Sequence, residues 1–401
     1  MKTCIIAPVL IAAAWPAAAQ TIAVAPIAGA RLRFEHVSQD DLPLEGDALT
    51  IRARAGATAA AGPFAATVVA QGTLAAIDDY NDGLHGPAAR PLVADPENVA
   101  LYVAQLQYRT PAMTVTGGRQ RIALDDERYV GNIAFRDNAQ TFDAVRVEAG
   151  PVPGVKLDIS YAWSVRTIWG VEGQGARPQS IGGTNLFANL SWKSPVGTLT
   201  GFAYLIDQNA MAVQNFRLSS QSYGVRLAGA QKIGDRASIA YQASYGVQSD
   251  WQRNPNDYRA AHWLVDAALV LGPAKLIAGR QVLGADGGTP FTSFQFPLGT
   301  NFKFQGWADK FLSTPPNGVR DLYGGGGIGW PKIGPFSEVA IQAVYHRFDS
   351  DRLAIRYGDE VDLLASAKLG KYQMSVRYAR YDANAFAADT QKAWLQLDWA
   401  F

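Results

Sequence analysis

Along most of this chain apolar and polar side chains alternate with a period of two. Val155, Leu157, Ile159, Tyr161, Trp163 and Val165 fall on one face of an extended segment, and Lys156, Asp158, Ser160, Ala162, Ser164 and Arg166 on the other. Residues 236–248 repeat the pattern, with Ile239, Tyr241, Ala243, Tyr245 and Val247 opposite Arg236, Ser238, Gln242, Ser244, Gly246 and Gln248. So do residues 371–380, where Tyr372, Met374, Val376 and Tyr378 oppose Gln373, Ser375 and Arg377. Strict alternation is the mark of a strand with one apolar face.

Two measures separate a soluble sandwich from a barrel in a membrane. The segments run to about ten residues, the length a tilted strand needs to cross the hydrocarbon, whereas sandwich strands are nearer five or six. The connections also alternate in length. Those at 110–111, 150–154, 193–196, 272–273 and 370–371 are tight; those at 75–97, 120–138, 167–181 and 284–317 are long. Short turns at one end and long loops at the other are the barrel pattern. Strands are expected near 29–36, 48–56, 63–74, 98–108, 112–120, 139–149, 154–166, 183–193, 197–206, 220–230, 236–248, 260–271, 274–283, 318–329, 336–347, 359–369, 371–381 and 390–401. The count is eighteen, an even number, so the fold class expected is all-β, a transmembrane antiparallel barrel. Residues 302–311 could form a further strand, but that would put the tight 370–371 turn on the external side, so they are read as part of a long loop folded inward.

Composition fits a membrane fate reached by strands. Lys2, the apolar run from Cys4 to Trp15 and the small residues Ala17, Ala18 and Ala19 make a secretory signal peptide over 1–19, leaving 20–401 as one barrel domain. Cleavage removes Cys4, the single cysteine, and with it any disulfide or thiolate chemistry. It also removes Lys2, which leaves 35 Lys and Arg against 35 Asp and Glu, a balance that gives no hint of nucleic acid. No stretch is long and apolar enough for a spanning helix. Tyr102, Tyr108, Trp163, Trp192, Tyr204, Trp263, Tyr345 and Trp399 suit interfacial girdles. The chain ends on Ala393, Leu395, Leu397, Trp399 and Phe401 facing outward, with Gln396 and Asp398 inward. That looks like the terminal strand of outer-membrane proteins, which the barrel-assembly machinery reads. Expected partners are therefore outer-membrane lipids, that machinery and a solute.

The inward faces carry the charge. Early strands contribute Arg31, Arg33, Glu35, Thr50, Arg52, Arg54, Arg146, Glu148, Lys156, Asp158 and Arg166. Later ones add Arg226, Asp266, Asp362, Lys368, Arg377 and Asp398. An Arg or Lys facing lipid at the midplane costs about 2–4 kcal/mol in a barrel, so these side chains line water. Rings of arginine select anions, and the planar guanidinium matches a carboxylate in two hydrogen bonds. The competing reading is that each arginine merely pairs with a neighbouring lumen carboxylate.

Gly118-Arg119-Gln120-Arg121, Asp125-Asp126-Glu127-Arg128-Tyr129-Val130-Gly131-Asn132, Phe135-Arg136-Asp137-Asn138 and Gln140-Thr141-Phe142-Asp143 resemble the alginate-export-type porin family of proteobacteria. Gln305-Gly306-Trp307-Ala308-Asp309-Lys310-Phe311, Asn317-Gly318, and Tyr357-Gly358-Asp359-Glu360 with Asp362 extend the likeness over nearly the whole mature chain. The resemblance implies a barrel of eighteen strands with an arginine-rich constriction passing an anionic polyuronate or related acidic molecule. Arg54, Arg119, Arg128 and Arg146 are the constriction positions that carry over. One connection departs from the family pattern: a long periplasmic loop between the sixteenth and seventeenth strands is here the tight turn at Gly370 and Lys371. A smaller uptake or efflux porin is then at least as good a reading as dedicated alginate export. A non-selective porin, or a surface-interaction barrel such as an adhesin or receptor, is the alternative.

Other motifs add no chemistry. His36, His85, His262 and His346 have no serine in a nucleophile turn beside them, so no enzyme, metal or cofactor is expected. Gly324, Gly326 and Gly329 satisfy a dinucleotide-type glycine spacing, but no helix follows and no βαβ unit surrounds them. Asp40, Asp41, Glu45 and Asp47, and Asp78, Asp79 and Asp82, read as solvated loops.

Overall fold

The computed structural model describes residues 21–150 and 152–400. The signal peptide and the terminal Phe401 lie outside the described residues. The strands are β1 (Ala23–Gln39), β2 (Gly46–Ala61), β3 (Phe64–Asp79), β4 (Asn98–Arg109), β5 (Met113–Gln120) and β6 (Thr141–Ala149). There follow β7 (Val155–Arg166), β8 (Ser180–Ser194), β9 (Gly197–Gln208), β10 (Ser220–Lys232), β11 (Ala237–Asp250) and β12 (Arg259–Leu271). The last are β13 (Ala274–Leu283), β14 (Val319–Ile333), β15 (Phe336–Asp349), β16 (Arg356–Leu369), β17 (Tyr372–Ala383) and β18 (Thr390–Ala400). Each pairs antiparallel with the next, and β18 pairs with β1 from Gly29↔Ala400 to Gln39↔Thr390, which closes an 18-stranded barrel with no free edge. All the expected strands are present, and β1 begins six residues before the alternation shows.

Closure explains the alternation. Outward residues such as Val225, Ile341, Val376 and Leu395 are exposed by more than half, as a lipid-facing band must be, while Arg33, Glu35, Thr50 and Gln248 on inward faces are almost fully buried. Tight turns close one end. In two of them Gly272 and Gly370 take φ +58, a left-handed conformation open to glycine at little cost. Trp163, Trp192 and Tyr345 face outward as girdle residues should. Tyr102 and Tyr204 do not: both are buried on the lumen side, where polar partners hold their hydroxyls. Tyr102 donates to Asn132 Oδ1 and Tyr204 to Asn189 Oδ1.

The long connections fold into the barrel. Gly131 N–H donates to Leu298 O at 2.9 Å, and Asp137 N–H to Asp95 Oδ1 at 2.6 Å, so the segments 80–97, 121–140 and 284–318 hold one another. Their apolar side chains dock on the inner wall. Phe294, Phe296 and Phe311 pack with Phe348, Tyr357 and Tyr381 in one cluster; Ile122, Val130 and Leu298 pack with Phe142, Val165 and Phe187 in another. Residues 302–311 form a single turn of 3-10 helix, Asn301–Lys303, and irregular backbone, as an inward loop rather than a strand.

Candidate functional site

The barrel register sets arginines side by side in the lumen. Arg31 on β1 stands directly opposite Arg52 on β2 and Asp398 on β18. Its Nε donates to Asp398 Oδ1 at 2.8 Å and its Nη1 to Phe135 O at 2.7 Å. Arg52 reaches the same carboxylate only at 3.6 Å, and its buried Nε has no acceptor among the described residues. Arg54 donates to Gln71 Oε1 at 2.7 Å and lies 3.9 Å from the centre of the Tyr102 ring, leaving Nη2 without a partner. Arg377 on β17 sits 5.2 Å from the Phe135 ring and 5.1 Å from Trp307 and makes no ion pair among the described residues. Buried N–H groups almost always find an acceptor. Arg52, Arg54 and Arg377 therefore present donors that no acceptor among the described residues uses.

Their neighbours are neutralised. Arg33, almost fully buried, binds Asp95 and lies 3.5 Å from Asp137. Arg136, from the 121–140 connection, meets Glu35 at 3.1 Å, Asp95 at 3.2 Å and Asp309 at 3.1 Å; Lys392 meets Asp309 at 2.7 Å. Burial pushes the Asp95 carboxyl up, but Arg33, Arg136 and the Asp137 N–H outweigh it and hold Asp95 below the ordinary carboxylate range. This network clamps three inward connections to β1 and β18. Sequence reasoning missed Arg136, Asp95, Asp309 and Lys392 as a set, although Phe135-Arg136-Asp137-Asn138 stood out as a motif.

Several expected lumen residues serve elsewhere. A register shift in β7 between Ala162 and Ser164 inverts the alternation beyond it, so Val165 is buried with Phe142 and Arg166 turns to the opposite face. Arg119 lies on the face of β5 opposite the inward Thr116 and Gln120, in a bidentate pair with Asp143 at 2.8 and 3.0 Å. Arg128 is inside the folded connections, donating to Gln305 at 2.6 Å between the Phe296 and Phe304 rings. Arg146 does face the lumen, but Asp158 takes it bidentately at 2.8 and 2.6 Å, and Lys156 meets Glu148 at 2.9 Å. Arg226 faces inward with Gln242 at 2.7 Å and Asp126 at 3.5 Å.

A different arc of wall is acidic. Asp266 on β12 accepts from the Tyr323 hydroxyl at 2.9 Å, Asp321 on β14 holds His346 Nδ1 at 3.0 Å, and His346 Nε2 lies 3.7 Å from Asp362 on β16. Glu360 accepts the Ala308 N–H at 2.7 Å, anchoring the 284–318 connection there.

The closed eighteen-stranded barrel matches known structures in its fold. Vanillate-bound OpdK of Pseudomonas aeruginosa superposes with a TM-score of 0.69 at 11% identity, covering 94% of this chain and 98% of that one. The fold is that of Gram-negative outer-membrane porins. Acinetobacter baumannii OccAB4 matches with a TM-score of 0.67 at 12% identity over 96% and 99% of the two chains. Pseudomonas aeruginosa OccD3 (OpdP) gives 0.66 at 13% identity over 94% and 91%. This porin fold crosses the outer membrane many times by strands alone. No protein-family model matches the chain, and no curated protein does. The likeness to the alginate-export family thus gains no support, and the structures the porin fold matches include Occ and Opd proteins.

Proposed function

We propose that this porin is a passive, substrate-selective channel for small anionic solutes, carboxylates foremost, of the kind the Occ and Opd channels represent. The observation that carries the reading is that Arg54 and Arg377 have no ion pair among the described residues and Arg52 only a long one of 3.6 Å, in a lumen where Arg33, Arg136 and Arg146 are already matched by carboxylates. A solute carboxylate is the acceptor such donors fit, by charge and by fork geometry. The inward connections support a small solute over a polyuronate chain, because three of them pack together across the lumen. OpdK was crystallised with vanillate, itself a small carboxylate. The solute's own gradient drives transport.

Reversal potentials in planar bilayers under a KCl gradient test this. The wild-type channel is expected to prefer anions, and Arg52→Gln, Arg54→Gln and Arg377→Gln together are expected to abolish most of that preference. An unchanged potential in the triple variant, or a barrel that admits matched neutral sugars as fast as carboxylates, overturns the reading.

A further inference from the structure

The outer surface of the barrel carries two arginines that the lumen does not account for. Arg280 on β13 stands in register between Val265 on β12 and Leu322 on β14, both 55% exposed in the outward apolar band. It therefore faces lipid, where a guanidinium is tolerated by reaching for the interface. Its guanidinium lies 5.4 Å from the ring centre of Trp263, which is two residues nearer the external end than Val265. Arg259, at the external start of β12, is exposed on the same outward row as Ala261 and Trp263. Its main-chain N–H donates to Asp286 Oδ2 at 3.0 Å, but its guanidinium, like that of Arg280, meets no carboxylate in an ion pair among the described residues.

Other outward arginines near this rim are matched. Arg320 meets Asp351 at 2.9 Å, Arg347 meets Asp349 at 3.2 Å and Arg380 meets Asp382 at 2.8 Å. What lies beside Arg259 also sets it apart. A groove of about 880 Å3 runs over the outer surface from β8 to β12, between Leu190 and the rings of Tyr223 and Tyr245, where Ala188, Gly201 and Ala203 leave the wall without bulk. Gln221, Ser249 and Arg259 line it as well, and they pair side by side across β10, β11 and β12 as a polar row at its external end. The groove thus has the form of a bed for an acyl chain under a polar, basic head site.

We propose that this face of β8–β13 binds a phosphorylated glycolipid of the outer leaflet. Its phosphoryl groups pair with Arg259 and Arg280, its sugar hydroxyls meet Gln221 and Ser249, and an acyl chain fills the groove beside Tyr223 and Tyr245. A guanidinium matches phosphate in two hydrogen bonds, and basic positions beside an apolar wall are how membrane proteins hold lipid head groups. The long connections mark this end as the external one, so the leaflet is the outer. A second copy of the chain docking by the same face would set arginine against arginine. The assignment is independent of what passes through the lumen.

The test uses the full-length barrel in non-ionic detergent, titrated with diphosphoryl lipid A, with bound lipid read by native mass spectrometry. Arg259→Gln together with Arg280→Gln is expected to weaken binding by about tenfold or more, and the corresponding pair of lysine substitutions to restore part of it. Folding of each variant is checked by its heat-modifiable mobility on gels. Arg320→Gln, on the same rim but already paired, should leave binding unchanged. Equal binding by wild type and the double glutamine variant overturns the site, and so does an equal loss in Arg320→Gln, which would make the effect one of net charge. Equally tight binding of lipid A stripped of its phosphates overturns the guanidinium contact, and equally tight binding of phosphatidylglycerol overturns the choice of a glycolipid. Paired barrels in place of one barrel with lipid, lost in the double variant, would give the face to a second copy.

Discussion

An inward arginine is informative only when its partners are counted. Arg146 and Arg54 look alike in sequence, both on polar faces of alternating strands. Asp158 and Glu148 occupy the first, whereas Gln71 and the face of Tyr102 leave the second with an unpartnered nitrogen. Lys310, on the inward 284–318 connection, belongs with Arg54: its Nζ donates to Gln39 Oε1 at 2.9 Å and meets no carboxylate in an ion pair among the described residues, so it is a further cation open to an anionic solute, and its environment sets a pH dependence of current blockade. Burial pushes its ammonium down to about 8, nearby Lys392 adds to that, and Asp41, Asp309 and Glu360 oppose it. A lysine lowered in this way is charged below that value and neutral above it. Blockade by benzoate, which has no second titrating group in this range, should hold from mildly acidic to neutral pH and fall as pH rises through about 8. Lys310→Arg, which keeps its charge, should remove the fall. A fall that persists in Lys310→Arg would assign the titration to another group.

At the scale of the element, the inward connections decide how much of the barrel is channel. Asp95 is the hinge of their attachment, accepting from Arg33, Arg136 and the Asp137 N–H at once. Asp95→Asn leaves two buried guanidinium groups short of an anion, a change that costs about 3–5 kcal/mol when a buried pair is broken. Unfolding in guanidinium should shift to lower concentration, and single-channel conductance should rise as 80–97 and 121–140 loosen. Gly306 tests the third connection. It sits at φ +75, and a β-carbon there would lie 2.3 Å from the Glu360 carboxylate. Gly306→Val should unseat 284–318 and raise conductance without moving the strands. These are also the elements the sequence read least well. The strands were legible because lipid on one side and water on the other impose period two on every residue. The bulge in β7 that turns Arg166 outward inserts one residue without a compositional mark. Arg128 and Arg136 lie in backbone with no period, where nothing local says which carboxylate a side chain will meet. For the third connection the sequence marked residues 302–311 as part of a loop folded inward, as they are, but not which wall residues they would meet.

Across the whole molecule the lumen is polarised. The weakly paired arginines Arg52, Arg54 and Arg377 stand on β2 and β17, flanking β1 and β18, while Asp266, Asp321, Glu360 and Asp362 occupy β12, β14 and β16. Since the chain as a whole is nearly neutral, the anion preference proposed above would have to come from this separation and not from net charge. Two physical modes can then favour anions: a field acting at a distance, and direct hydrogen bonds to guanidinium. Salt separates them, because the screening length falls from about 10 Å at 0.1 M to about 3 Å at 1 M. Chloride, passing with few fixed contacts, feels mainly the field, so its preference over potassium should shrink strongly across that range. A carboxylate held by arginine in bidentate geometry retains its contacts, so blockade by benzoate in Lys310→Gln, where the arginines alone remain to hold it, should decline much less. Parallel loss of both would mean that the arginines act only as a distant field, and persistence of both would place selectivity in steric fit among the inward connections.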